Sequence, residues 1–228
     1  MPAAPFHLRP VAPVAPRALL PGDPGRALAL AQVVLGDDRR MLNHHRGLWG
    51  YTGTASDGEP LSIQATGMGG PSAAIVLEEL AGLGVRTAIR VGTARAVDPA
   101  LALGDLVAVG AVSAEDGVSL ALAGAARRID LAAELVADTE RAGAIASHDL
   151  LYAPDAAQRA AAWRAAGLLA ADLETGALAT VANRHGIAFG AVVAIAADAH
   201  GARLDDEAQA AAGEAAGRAA ARALGLDG

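Results

Sequence analysis

Short apolar runs rich in Val and Ile alternate along the chain with longer Ala/Leu stretches, and Gly, Pro and Asp punctuate the joins. Leu61–Thr66 reads as a strand, followed by a helix over Pro71–Leu83 with the proline in its first turn, where a missing N–H costs nothing. A second strand is predicted over Thr87–Val91, closed by a Gly-Thr turn, and a long buried strand over Asp105–Ser113. Leu131–Ala142 is amphipathic, with acids and Arg141 on one side and Leu131, Leu135 and Val136 on the other. Helices are predicted over Asp155–Ala166 and Glu174–His185, a strand over Ile187–Ala197 and a closing helix over Leu204–Leu224, whose first acids suit the positive end of the dipole. Strands this apolar need cover on both faces. The expected fold is therefore α/β, a three-layer α/β/α sandwich formed by one domain over residues 1–228.

Composition narrows the chemistry. Hydrophobic residues make up 53% of the 228, ample for a core, while aromatics at 3% leave few rings to stack on a ligand. The net charge of −7 argues against a nucleic-acid or anionic-membrane surface. Cys is absent, which removes disulfides, thiolate catalysis and cysteine metal sites. Lys is absent as well: all 18 basic residues are Arg, so Schiff-base chemistry and a P-loop lysine are excluded. Any bound anion must be held by guanidinium groups and backbone amides. Five prolines break residues 1–20, and the apolar run from Gly186 to Ala197 falls short of the roughly 20 residues that span a bilayer. The expectation is a cytoplasmic protein without a targeting segment.

Five segments are able to carry chemistry. Leu20–Arg26 (LPGDPGR) joins an apolar run to a helix and offers an oxyanion cradle of backbone amides with Arg26; the alternative is a Pro-Gly turn bearing a solvated arginine. Ala65–Ser72 (ATGMGGPS) has three glycines that let a ligand approach the backbone, but lacks the dinucleotide-binding spacing. Arg90 lies inside an apolar strand, where an unpaired charge is costly, so it needs either an anionic ligand or an internal Asp or Glu. Asp172 and Glu174, two apart where the chain enters a helix, point the same way and suit a vicinal diol; helix capping is the alternative. Asp198 ends an apolar strand, where burial would favour a protonated, donating carboxyl; a simple turn acid is the alternative. His44, His45 and the run Asp37–Arg40 read as surface, and His200 as a partner of Asp198 or an exposed residue.

The order of these segments carries more than any one of them. The chain resembles the nucleoside phosphorylases of the trimeric/hexameric type, which include uridine phosphorylases and bacterial hexameric purine nucleoside phosphorylases. The likeness runs from Phe6-His7-Leu8 to the C-terminal helix and is densest in PGDPGR, HRGLWGYTGT, TGMGGPSAAIVLEELAGLGVRTAIRVGT and DLETGAL. It implies a mixed central sheet and phosphate-dependent cleavage of an N-glycosidic bond, with inorganic phosphate as co-substrate and no cofactor. By that resemblance phosphate sits among Gly22, Arg26, Arg90 and Thr93, joined by Arg46 from a neighbouring subunit. His7, Met68, Asp172, Leu173 and Glu174 surround the ribose. Ala94, Arg95, Leu151, Tyr152 and Asp198 line the base pocket, with Asp198 and Arg90 catalytic. The smallest active unit would be a homodimer, with a hexamer as the larger assembly.

Departures from the family pattern bear on the substrate. Arg95 replaces a usual Gly, Leu151 replaces an aromatic that stacks on the base, and Asp155 and Ala157 stand where uridine phosphorylases grip uracil. Gly47 replaces their potassium-binding Glu, so no metal is implied. Asp198 occupies the position of the acid that protonates purine N7. The residues favour a purine nucleoside; a uridine phosphorylase, a water-using hydrolase and a non-catalytic nucleoside-binding relative are the alternatives.

Overall fold

A computed structural model describes residues 5–125 and 127–226; residues 1–4, 126, 227 and 228 of the expected 1–228 unit lie outside the described residues. The strands are β1 (Arg17–Pro21), β2 (Arg40–Asn43), β3 (Gly50–Thr54), β4 (Pro60–Gln64), β5 (Thr87–Ala96), β6 (Leu106–Ala114), β7 (Arg127–Asp130), β8 (Arg141–Ser147), β9 (Ala170–Asp172) and β10 (Ala188–Ala197). The helices are α1 (Pro24–Val34), α2 (Gly70–Gly82), α3 (Gly117–Ala123), α4 (Ala156–Ala165), α5 (Thr175–His185) and α6 (Asp206–Ala223). The strands form one mixed sheet in the order β10-β6-β8-β9-β5-β1-β4-β3-β2, with β7 on β6. β10 also pairs with β5, so β5, β9, β8, β6 and β10 close on themselves as a small ring within the expected sandwich.

Side-chain parity explains the two faces. Ala18 and Leu20 of β1 enter one core with α2 and α5, while Leu19 enters the other with α1 and α6. β10 divides the same way, with Val193 and Ile195 on the first face and Val192 and Ala194 on the second. Two of the helices start on an aspartate that ends the segment before them. Asp23 caps α1 by accepting from the Arg26 amide at 2.7 Å, and Asp205 caps α6 by accepting from Ala208 at 2.8 Å.

Two expectations change. The amphipathic stretch over Leu131–Ala142 is not a helix: it holds one 3₁₀ turn at Ala133–Leu135 and the start of β8. Its Leu135 packs against β10 at Gly190, so tertiary contact, not helical spacing, disposes of its apolar residues. The Gly-Thr turn expected at Gly92-Thr93 is also absent, because β5 continues through both to Ala96 between β10 and β9.

A Cβ at Gly190 would stand 2.8 Å from both Cβ and the carbonyl oxygen of Leu135. Backbone cannot give way as a side-chain tip can. Gly190→Ala is therefore expected to cost about 1–3 kcal/mol, read as a lower denaturant midpoint at unchanged slope.

β1, β4, β5 and β10 are parallel, so their carboxyl ends share one edge. In open α/β sheets this edge is where ligands bind.

Candidate active site

Two loops meet at that edge. The Thr66 amide donates to the Pro21 carbonyl at 2.9 Å, and the Gly67 amide to the Gly22 carbonyl at 3.0 Å, which ties the segment after β4 to the one after β1. Gly67 has φ of 74°, and a Cβ there would collide with the Ser72 hydroxyl, which itself donates to the Thr66 carbonyl at 2.6 Å. Only glycine fits that crossing.

Arg90 lies at the centre of the arrangement, on β5 between Leu20 of β1 and Ala191 of β10, and is 2% exposed. Its Nε donates to Asp172 Oδ2 at 3.0 Å and its Nη2 to Glu174 Oε2 at 2.5 Å. Burial alone would depress the guanidinium pKa, but the Glu174 and Asp172 charges outweigh it and hold it above the usual arginine range. Nη1 is buried without a hydrogen-bond partner among the described residues. An orphaned buried donor costs about 1–3 kcal/mol, and an anion would supply its missing acceptor.

The two acids differ in what they have left to give. Asp172 is buried and accepts from the Thr175 amide, from the Thr175 hydroxyl at 2.6 Å and from Arg90. It accepts at the start of α5 and aims Arg90, so its carboxylate is held by donors of the protein itself. Glu174 accepts from Arg90 through one oxygen and from the Gly69 amide at 2.7 Å through the other, and its side chain keeps 11% exposure. Each carboxylate oxygen can accept a second hydrogen bond, so Glu174 remains able to take a hydroxyl donor.

Arg26 projects from the first turn of α1 and its Nη1 donates to the Val91 carbonyl at 3.3 Å. Burial, then the charge of Arg90, pulls its pKa below the usual arginine value, with Asp23 and Glu174 pulling the other way. Two guanidinium groups therefore lie within electrostatic reach of each other around Glu174. The amide cradle expected at α1 is partly taken: Asp23 already accepts from the Arg26 amide, and Pro24 has no N–H. The arginine side chains are the better anion donors.

Other predicted residues are placed unevenly. Gly22 lies in the tied loop, Thr93 is half-buried three residues beyond Arg90, Ala94 is buried and Leu173 is half-buried between the two acids. Met68 is 90% exposed and Tyr152 82%, and Leu151 is exposed too, so none of these closes over the site in a single chain. Arg46 is exposed, on a 3₁₀ turn with φ of 60°, a strained conformation for a non-glycine residue. Asp198 is half-buried, and its Oδ1 accepts from the amides of His200 at 2.9 Å and Ala202 at 2.8 Å, closing the turn after β10. His200 thus meets Asp198 through its backbone.

His7 is tied by its backbone. Both oxygens of Glu79 on α2 take the amides of Phe6, His7 and Leu8 at 2.6–3.1 Å, and His45 Nδ1 lies 2.8 Å from the His7 carbonyl. His45 is thus a half-buried tether and not simply surface. Sequence reasoning missed Glu79 and Thr175, as well as two glycines that leave room for the arginines. A Cβ at Gly92 would stand 2.7 Å from Arg90 Nη2, and one at Gly213 on α6 would stand 2.5 Å from Arg26 Nε. The available signal was weak: Gly92 follows Arg90 by two, on the same strand face, and Gly213 repeats four residues later as Gly217.

A sequence profile of the phosphorylase superfamily matches residues 16–226. The chain belongs to the phosphorylase superfamily. A guanosine phosphorylase of Halorubrum lacusprofundi is 33% identical over 205 residues, covering 83% of each chain. A DeoD-type purine nucleoside phosphorylase of Caldanaerobacter subterraneus is 32% identical over 187 residues, 76% of this chain and 79% of that protein. The crystal structure of a uridine phosphorylase from Vibrio fischeri superposes with a TM-score of 0.82 at 26% identity, covering 92% of each chain. The mixed sheet with helices on both faces is the nucleoside phosphorylase fold.

Proposed function

We propose that this phosphorylase cleaves the N-glycosidic bond of a purine nucleoside with inorganic phosphate, giving the free base and ribose 1-phosphate. The observation that carries the reading is the buried Arg90 guanidinium, fixed by two acids, with Nη1 left for an acceptor and Arg26 beside it. Relatives of this chain bear the names of guanosine, purine nucleoside and uridine phosphorylases, and the preference for purine rests on Asp198.

Phosphate is the nucleophile. Arg90 and Arg26 hold it below C1′ with Gly22 and Thr93, which converts an encounter into a near-attack geometry. One phosphate oxygen forms the new bond to C1′ while the bond to the base breaks and its electron pair leaves with the base. Glu174 accepts from the ribose hydroxyls while positive charge grows on the sugar. Asp198 delivers a proton to N7, so that the base departs neutral. Met68 and Leu173 line the sugar, and Ala94, Leu151 and Tyr152 flank the base. No resident cofactor is needed.

Arg46 and His7 act in this reading across a homodimer interface, Arg46 on phosphate and His7 near the ribose 5′ end. Exposed Phe6, at 79%, and Met68 close to these positions are apolar groups that a second copy would cover. Trimers of such dimers give the hexamer.

Inosine, adenosine and uridine incubated with the protein, with and without phosphate, test the reading. Base release that needs phosphate and is faster for a purine is the expected result. Release without phosphate indicates a hydrolase, faster uridine cleavage a pyrimidine enzyme, and binding without turnover a retired site; each overturns the proposal.

A further inference from the structure

We propose that Arg95 reads the base, selecting purine nucleosides with a carbonyl at C6 over those with an amine there; this rests on the phosphorylase reading above. Arg95 stands at a junction of strands. Its register partner on β9 is Ala171, directly before Asp172, and its partner on β10 is Ala197, directly before Asp198. The pairing of β5 with β10 shifts register at this point, between Ile195 and Ala197.

The side chain is exposed and makes no hydrogen bond or ion pair among the described residues. Its Nη2 lies 3.9 Å from the position a Cβ at Gly201 would take, within the turn that Asp198 closes. Asp198 spends Oδ1 on that turn, and no protein donor among the described residues meets Oδ2. An unengaged guanidinium and an unengaged carboxyl oxygen thus belong to one small region at the sheet edge.

Their chemistry is complementary to one class of base. A guanidinium has only donors. A 6-oxopurine presents two adjacent acceptors, O6 and N7, on a single edge, the pattern that arginine recognises in guanine. A 6-aminopurine places a donor where O6 would be, and that amine would face Arg95 without an acceptor. Asp198 gives its proton to N7 while Arg95 donates to O6. As the glycosidic bond breaks, its electron pair enters the purine ring and raises the electron density on O6 before the proton has fully reached N7, so this hydrogen bond strengthens in the transition state and acts on kcat.

Steady-state phosphorolysis of inosine and adenosine by the intact wild-type protein, Arg95→Met and Arg95→Lys tests this. Wild type is expected to favour inosine. Arg95→Met should lower kcat/KM for inosine by about 10- to 100-fold and change adenosine by less than about threefold. Arg95→Lys should recover part of the loss, since it keeps the charge but not the fork. Thermal melting of the variants should match wild type, because Arg95 touches no core. An inosine-to-adenosine ratio unaltered in Arg95→Met, with phosphorolysis intact, overturns the role of Arg95 and leaves the phosphorylase reading standing. Absence of phosphate-dependent cleavage in wild type overturns that reading instead. Calorimetric binding of hypoxanthine and adenine then decides the base-reading role separately: equal affinities sink it, and a hypoxanthine preference lost in Arg95→Met upholds it.

Discussion

Arg90→Ala is expected to remove phosphate dependence and to destabilise the protein at the same time. In the proposed reading Nη1, unpaired among the described residues, is the donor for the anion, while Nε and Nη2 neutralise Asp172 and Glu174. Removing one preorganised donor from an oxyanion typically lowers kcat by about 10²–10³-fold. Here the loss should be at the upper end or beyond, because the substitution also frees Glu174 from its anchor on Arg90. Truncating one partner of a buried ion pair costs about 3–5 kcal/mol, since the remaining charge stays desolvated. Arg90→Lys separates the two effects. It retains a positive charge for the acids but cannot contact Asp172, Glu174 and phosphate through one planar fork. The lysine variant should therefore fold with a smaller loss of stability and still show a much raised phosphate KM. Thermal unfolding and phosphate titration of both variants are the measurements. A folded variant with a wild-type phosphate KM would remove Arg90 from the anion site.

The charged centre was legible in the sequence because electrostatics leaves few choices. An arginine inside an apolar strand must be paired, and two acids separated by one residue after a short apolar run can face it together. The internal pairing is what the fold builds: Arg90 is ion-paired to Asp172 and Glu174 and keeps one donor unpaired among the described residues, and Asp172 bonds the start of α5 while it aims that arginine. The bonds of Asp172 concentrate on Oδ2, which takes the Thr175 hydroxyl and Arg90, while Oδ1 takes only the Thr175 amide at 3.2 Å.

The parts that stayed hidden depend on distant contacts. β8 reads RAGAIAS, whose alanines carry no strand preference of their own; β6 and β9 on either side make it a strand. β9 is three residues long, below any periodicity. The ring closed by β5 and β10 has no local signature, because it depends on pairing between segments a hundred residues apart in the chain. Gly92 and Gly213 look like ordinary small residues until the arginines they clear are placed in space. Arg46 is exposed in the single chain, and whether a second copy covers it has no signature in one sequence.

Asp198→Asn is expected to depress purine cleavage by about 10²–10⁴-fold, the usual contribution of a positioned general acid. The substitution is conservative for the fold. An asparagine Oδ1 can accept the His200 and Ala202 amides as the aspartate does, so the turn after β10 should persist and thermal stability should change little. What disappears is a transferable proton: an amide can donate a hydrogen bond to N7 but cannot protonate it. Substrates that leave without protonation at N7 should therefore escape most of the loss. Uridine has no N7, and 7-methylguanosine already carries a positive charge on its imidazole ring. Comparing kcat/KM for inosine, uridine and 7-methylguanosine in wild type and Asp198→Asn separates acid catalysis from mere packing. If Asp198 supplies the proton, the loss concentrates on inosine. An equal loss on all three would make Asp198 a turn residue only, and the protonation of the leaving base would have to come from elsewhere along the edge that Arg95 and Asp198 share.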